Sequence, residues 1–457
     1  MAKKKVEDQK ISSFIPEKGK KLEEKLNNAI IPVDKQPYKV PKNWCWVKTG
    51  SIFSVEYGKE LPSKKLIENG YPVFGANGQI GFYDRYMFEY PKALMGCRGT
   101  CGVMNLSLPK SFVTCNSLII DGNNINISAK FIYYLYYALD LKKIITGSVQ
   151  PQITISKLIN FPVPLPPLAE QKRIVNKLDN YISKIDKAKE KLEKVIDTCN
   201  YRKNLILHRA FTGQLTKNWR KENKFKLDDD IKKKAITKDS ILPDEHLYEI
   251  PKNWHWVRLS NIISISKETT DDFSDKKIKY IGLENIEKNG GINSVGDISE
   301  VKSLKNVFHK GQILYGKLRP YLNKHDIADF DGVCSTDILV LDSNSNTTNI
   351  FVNYYLSDIH FIDYVIYNSR GINLPRITTK ILLNASFPLP PIEEQKEIVK
   401  ILDSVLSKEK QVKEIAEKEI KRVKDLKKNI ITRAFVGELG TNNPTEENSI
   451  ELLKSVL

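Results

Sequence analysis

Long apolar runs are missing from this chain of 457 residues. The most apolar piece, FIYYLYYAL (Phe131–Leu139), ends at Asp140 and reads as a buried helix. Nothing approaches the roughly 20 apolar residues that span a bilayer, so no membrane partner is expected. The start MAKKKVEDQK is charged with no apolar core behind it, which excludes a signal peptide and predicts a cytoplasmic chain. Cysteine is scarce: six residues, as a reducing compartment allows. Cys97 and Cys101 form a C-x3-C with Cys115 nearby, yet no histidine lies close in sequence. Buried small residues are expected there, and no metal centre. The sequence also lacks a P-loop G-x-x-x-x-G-K-[ST] and an H-E-x-x-H.

Acidic residues are the last shortage. Lys and Arg total 72 against 55 Asp and Glu, giving a formal charge of +17 and a pI of about 9.3. A lysine-rich proteome would give some surplus by itself. An anionic partner, with nucleic acid first, is the functional reading. At 41% hydrophobic and 28% charged the composition is that of a globular protein. The length calls for two or more domains.

What the chain does have is a repeat. PKNWCWV (Pro41–Val47) returns as PKNWHWV (Pro251–Val257), offset by 210 residues. Three later blocks return at an offset of 224. They are GSVQPQIT (Gly147–Thr154) with GINLPRIT (Gly371–Thr378), PLPPLAEQKRIVNKLD (Pro164–Asp179) with PLPPIEEQKEIVKILD (Pro388–Asp403), and ILHRAFTGQL (Ile206–Leu215) with IITRAFVGEL (Ile430–Leu439). The variable part of the second repeat is thus 14 residues longer, whereas the part from PLPP to R-A-F has one fixed length.

The fixed part reads as a long helix. Proline excludes PLPP from a helix interior, so it ends one element and sets up the next. A heptad seam is predicted at Ile174, Leu178, Tyr181, Ile185, Ala188, Leu192, Val195, Cys199, Arg202 and Ile206. The second copy gives Ile398, Leu402, Val405, Glu409, Val412, Ala416, Glu419, Val423, Leu426 and Ile430. Gly213 and Gly437 follow as left-handed C-terminal residues. A helix of about 40 residues, roughly 60 Å, with one apolar stripe needs a partner. Packing on its own domain or on a second chain would supply one. Matched lengths favour the other copy, run antiparallel.

The predicted division is a basic N-terminal extension 1–29, a first domain 30–167, a helix 168–213, a linker 214–240, a second domain 241–391, a helix 392–437 and a tail 438–457. Regions 41–163 and 251–387 read as mixed α/β, with one aromatic-rich helix each, Phe131–Leu141 and Ile350–Ile366. These aromatics are expected in the core. Polar loops lie between: FGANGQIGFYDRY (Phe74–Tyr86), GCRGTCG (Gly96–Gly102), YIGLENI (Tyr280–Ile286), YGKLRPYLNKH (Tyr315–His325) and NSRGINLPRIT (Asn368–Thr378). Asn and Gln match adenine edges, Arg and Lys match guanine edges or phosphates, and glycine permits close approach. The candidate DNA-binding residues are Asn77, Gln79, Tyr83, Arg98 and Asn116 in the first region. In the second they are Lys317, Arg319, Tyr321, Lys324, Arg370 and Arg376. A solvated basic turn is the competing reading for any one of them.

With these motifs in order and in duplicate, the chain resembles the specificity subunit of type I restriction–modification systems over nearly its whole length. The resemblance implies two tandem mixed α/β target recognition domains, each followed by a long helix. The helices are expected to form an antiparallel coiled coil with internal pseudo-twofold symmetry. It also implies that each domain reads half of a split site on double-stranded DNA. The helices would set the half-site separation and dock two methyltransferase subunits, and two motor–nuclease subunits would complete a restriction complex. The chain itself would be non-catalytic and hold no cofactor. S-adenosylmethionine would sit on the adenine-N6 methyltransferase partner, and ATP and Mg on the motor. In keeping with this, the string nearest the N-P-P-[FY] motif of adenine methyltransferases, NNPTEE (Asn442–Glu447), lacks the second proline and the aromatic.

Overall fold

The computed structural model describes residues 17–122, 126–147, 150–223, 241, 246–274, 277–300, 303–371 and 373–457. The chain divides into two compact units. The first holds residues 1–191 and 419–457, the second residues 192–418. Both repeats therefore contribute to each unit.

In the first unit, helix α1 (Glu17–Ala29) precedes β1 (Cys45–Lys48), β2 (Ser54–Tyr57), β3 (Tyr71–Gly75), β4 (Gly78–Tyr83), β5 (Ala93–Gly96), β6 (Met104–Leu106), β7 (Phe112–Val113) and β8 (Ser117–Asp121). The aromatic helix α2 (Ala129–Ala138), the short α3 (Ile155–Leu158), β9 (Pro162–Leu165) and the long α4 (Leu168–Phe211) follow. A four-stranded sheet runs β2-β8-β5-β6 and a three-stranded one β4-β3-β7. Pro164 of PLPP sits opposite Trp46 in the β1–β9 pair. Proline is tolerated there because the ribbon has only edge strands.

The second unit begins with the C-terminal part of α4, goes on to the short helix α5 (Lys217–Glu222) and repeats the plan. Its strands are β10 (His255–Arg258), β11 (Ile263–Ile265), β12 (Thr269–Thr270), β13 (Lys279–Ile281), β14 (Lys305–Phe308), β15 (Ile313–Gly316), β16 (His325–Ile327), β17 (Gly332–Cys334), β18 (Ile338–Ser343) and β19 (Ser386–Leu389). Sheet β11-β18-β15-β16 matches β2-β8-β5-β6, and the parallel β13–β17 pair matches β3–β7. Trp256 faces Pro388 as Trp46 faces Pro164.

The aromatic helices are core, as expected: Phe131, Ile132, Leu135 and Tyr136 in one unit, Phe351, Tyr355, Phe361 and Val365 in the other. Their extents differ from expectation. The second is two helices, α6 (Asn349–Tyr355) and α7 (Ile359–Tyr367), because the Asp358 carboxylate accepts from His360 N and starts a new helix. The first ends at Ala138, and Asp140 caps a separate 3-10 turn. The chain goes on through α8 (Thr379–Leu383), the long α9 (Ile392–Phe435) and α10 (Ser449–Lys454).

The long helices have 44 residues each and run antiparallel within each unit. In the first, Lys427 Nζ of α9 meets Asp186 of α4 at 2.9 Å. In the second, Arg202 grips Glu409 with two bonds of 2.8 Å, and Lys413 donates to Asn200 at 3.4 Å. Numbers rise along α4 as they fall along α9. The seam is shifted by one residue at five of the twenty predicted positions. Tyr181, Ala188, Val195, Val412 and Leu426 are exposed. Their neighbours Ile182, Lys189, Ile196, Lys413 and Lys427 are covered instead, alternating with Leu178, Ile185, Leu192 and Cys199 on α4 and with Leu402, Glu409, Ala416 and Val423 on α9. Three of the covered residues are lysines, whose aliphatic stems line the seam, so hydrophobicity by type pointed to the wrong neighbour.

Three of the four copied blocks are explained by where they meet. In the first unit the buried Glu170 carboxylate accepts from Trp44 Nε1 at 2.7 Å, Asn442 Nδ2 at 2.8 Å and Thr441 Oγ1 at 3.1 Å. In the second, Glu394 accepts from Trp254 Nε1 at 2.9 Å, Thr216 Oγ1 at 2.7 Å and the Arg220 guanidinium. P-K-N-W and E-Q come from one repeat, but the segment after R-A-F comes from the other. Gly213 and Gly437 are left-handed (φ 70° and 82°), and a Cβ on either would lie 2.3–2.4 Å from Cγ of Pro251 or Pro41. So the glycine after R-A-F is needed both for the helix end and for the proline of P-K-N-W to fit. Phe435 packs in the first core and Phe211 in the second. The terminal segments are built in as well. Arg173 holds Glu446 with two bonds of 2.7 Å, Leu453 is fully buried, and Lys25 of α1 donates to Leu457 O.

Candidate nucleic-acid interface

Three loops meet at one edge of each unit's sheets. In the second unit they are Gly316–Lys324, Ser335–Ile338, and Arg370–Gly371 with Asn373–Arg376. Backbone bonds lock them together: Lys317 N to Asp337 O at 2.8 Å, Ile377 N to Lys317 O at 3.0 Å and Arg319 N to Pro375 O at 2.7 Å. The first unit uses Gly96–Val103, Thr114–Ser117, and Thr146–Gly147 with Gln150–Gln152. There Cys97 N bonds Asn116 O at 2.9 Å and Ile153 N bonds Cys97 O at 3.0 Å. The bridge Arg98–Gln152 corresponds to Leu318–Arg376, and Thr146–Gln152 to Arg370–Arg376. GCRGTCG and GKLRPYLNK are therefore the same loop, although they share little sequence.

The first loop turns at a left-handed residue in both units. Gly99 adopts φ 74° without penalty, whereas Arg319 is held at φ 52°. A side chain there costs on the order of 1 kcal/mol. Asn323 is also left-handed (φ 44°), and its buried amide donates to Leu356 O at 2.9 Å. The loop is thus set rigidly by its surroundings, with the Arg319 side chain exposed.

The candidates fall into three groups. Arg98, Asn116, Arg319, Tyr321, Arg370 and Arg376 are exposed on the three-loop edges. Arg376 alone of these is ion-paired among the described residues, its Nη2 3.1 Å from Asp337 Oδ1. Asn77 and Gln79, both exposed, flank the hairpin turn whose Ala76 carbonyl lies against Gly96, so they border the same edge. The remaining three are tied to the scaffold. Lys324 Nζ donates to Leu283 O at 2.6 Å, and Lys317 is half-buried with its backbone in the loop junction. Tyr83 lies at the far end of β4, about 13 Å along the strand, and packs edge-on against Phe112. Sequence reasoning passed over Gln152, Asp337 and Tyr367, the last 90% exposed where α7 ends beside Arg370. The offset of 224 placed Gln152 on Arg376 all along. For Asp337 and Tyr367 no sequence signal existed.

The cysteines of these loops show no metal geometry. Among the described residues no three His, Cys, Asp or Glu side chains are placed to hold a metal ion. Burial pushes the Cys97 thiol up to about 11, as expected of an inert buried residue. No described helix is long and apolar enough to cross a membrane.

Comparison with known proteins gives this geometry a family. The model of the type I restriction modification DNA specificity domain matches twice, over residues 41–196 and 251–422. The chain belongs to the type I restriction–modification specificity subunits. It is 28% identical over 407 residues to the EcoDI specificity subunit of Escherichia coli, covering 88% of this chain and 90% of that one. It is 25% identical over 333 residues to the MjaVIII specificity subunit of Methanocaldococcus jannaschii, covering 68% and 71%. A solved chain from a type I restriction–modification system superposes with a TM-score of 0.62 at 18% identity, over 88% of this chain and all of that one. That likeness speaks for the fold. The two matched segments each run from P-K-N-W through a set of three loops into a long helix, so this specificity subunit carries its family's domain in duplicate.

Proposed function

We propose that the chain recognises a bipartite sequence on double-stranded DNA, with one three-loop edge reading each half. The observation that carries this is the recurrence of the same rigid loop junction in both units, on a shared scaffold, with different exposed polar residues. A structural loop would have no reason to keep its backbone and change its side chains. The net charge of +17 supports a polyanionic partner. Arg98, Asn116, Asn77 and Gln79 would serve one half-site. Arg319, Tyr321, Arg370 and Arg376 would serve the other, with Lys317 and Lys324 behind them.

The paired helices α4 and α9 fix the half-site separation and dock methyltransferase subunits. Each is about 66 Å long at 1.5 Å per residue. Apolar residues left exposed on them support docking: Tyr181 and Leu426 in the first unit, Leu205, Val412 and Ile415 in the second. Chemistry and cofactors belong to those partners: S-adenosylmethionine for adenine methylation, and ATP with Mg where motor–nuclease subunits join.

The test is a domain exchange. Residues 41–163 are replaced by the matching segment of another specificity subunit, and methylated motifs are mapped in the host. One half of the motif should change and the other stay. A change in both halves would reject modular reading.

A further inference from the structure

We propose that the position shared by Gln152 and Arg376 reads a base edge in each half-site, adenine for Gln152 and guanine for Arg376. Asp337 is the positioning residue for Arg376. The inference rests on the half-site reading above and assigns it a base.

The two positions are equivalent by backbone. Gln152 bridges to Arg98 and Thr146, and Arg376 bridges to Leu318 and Arg370. A second position lies beside each, in the neighbouring loop. It is Asn116 in the first unit and Asp337 in the second, and both give their carbonyl to the same strand-end amide, of Cys97 or Lys317. So one pair of sites carries two neutral amides in one domain and an acid with a base in the other. The residues change together, as they would if one supports the other.

The ion pair is poorly explained as a stabiliser. The Arg376 and Asp337 side chains are 54% and 30% exposed, and such surface pairs contribute little. It is well explained as an aiming device. Guanidinium carries five N–H donors in a planar fork, and Asp337 engages one nitrogen at 3.1 Å. The carboxylate pairs with one end of the fork and leaves the other donors open to solvent. A fork of this kind matches the N7 and O6 acceptors of guanine. Gln152 is exposed, and its amide offers one donor and one acceptor side by side, the match to N6 and N7 of adenine. Both residues are held at β-bridges and not at loop tips, so they are as well placed as the strands.

The experiment selects duplexes from a random-sequence DNA pool, using the full-length chain co-assembled with its methyltransferase. The parent should enrich a two-part motif. Arg376→Gln should turn one guanine into adenine in one half-site, a change in preference of about 5- to 150-fold, and leave the other half untouched. Gln152→Arg should make the reciprocal change in the other half, which keeps the test alive if Arg376→Gln folds poorly. Asp337→Asn should keep the guanine with reduced discrimination at that base alone, an effect that a general loss of stability would not produce. An unchanged motif in both position-152 and position-376 variants would overturn the proposal. So would uniform weakening across all sequences with a shallower salt dependence, the mark of a phosphate contact. A parent that enriches no motif would overturn the half-site reading and this inference with it.

Discussion

Glu170 and Glu394 occupy the same joint in the two units but differ in what surrounds them, and the difference predicts unequal costs of neutralising them. Glu394 is fully buried and meets the Arg220 guanidinium, itself largely covered (19% exposed side chain). Glu170 is equally buried, yet its hydrogen-bond donors are the neutral Trp44, Thr441 and Asn442. Glu394→Gln preserves shape and leaves Arg220 without its counter-charge. Removing one partner of a buried pair costs about 3–5 kcal/mol. Arg220 keeps two acceptors, Gly213 O at 2.6 Å and Thr216 Oγ1 at 3.3 Å, which places the loss near 3 kcal/mol. Glu170→Gln loses only charge-assisted character in bonds to neutral groups, about 1–2 kcal/mol. For units of this size the melting shifts are about 6–12 °C and about 2–8 °C. Calorimetry of the whole chain would read the two transitions, and hydrogen exchange over residues 168–180 and 392–404 would assign them. Adding Arg220→Ala to Glu394→Gln should recover part of the loss. The reasoning fails if Glu170→Gln costs as much as Glu394→Gln, or if the Arg220 and Glu394 changes are simply additive.

Deleting residues 441–457 should abolish cooperative unfolding of the first unit and leave the second intact, because it strips Thr441 and Asn442 from Glu170, Glu446 from Arg173, and the buried Leu453. Limited proteolysis that spares residues 30–167 in the truncated chain would contradict this. The second unit should also weaken in acid. His325 is fully enclosed, between Asn353 Oδ1 at 2.7 Å and Ser357 Oγ at 3.1 Å, and burial holds its imidazole down to about 4. An unfolded histidine takes its proton near pH 6.5, so the unfolded state binds more protons between pH 6.5 and 4. Stability is therefore lost as pH falls through that window, on the order of 3 kcal/mol from this residue. An NMR titration of His325 with a midpoint near 6.5 would refute it.

Much of the architecture was legible in the sequence because it is written twice. The offset blocks gave the two domains, the two helices, their antiparallel pairing and the left-handed Gly213 and Gly437. Each of these rests on short-range rules: proline exclusion, helix periodicity, glycine at a helix end. The seam was legible at most positions and missed at five. At Tyr181 against Ile182, or Ala188 against Lys189, either neighbour keeps alternating steps of three and four, and the choice depends on where the second helix lies. The role of Glu170 was hidden, since its partners Thr441 and Asn442 come from the other end of the chain. The loops were the least legible. Arg319 takes a glycine-like conformation that no local rule assigns to arginine, and its equivalence to Gly99 shows only through backbone bonding.

The division of the chain between its units also sets an order of completion. Residues 192–418 are continuous, so the second unit has all its parts once they leave the ribosome. The first unit has most of its residues earlier, but its joint closes across sequence separations of about 400, as in the bond from Asn43 Nδ2 to Asn443 O. Contacts so distant in sequence form late, and here they await Thr441, Asn442 and Asn443. Until then the apolar surface that Ile431, Ala434 and Phe435 cover stays open. The domain synthesised first is thus the last to be finished, and the interval in which it is exposed is set by the time taken to make the other one.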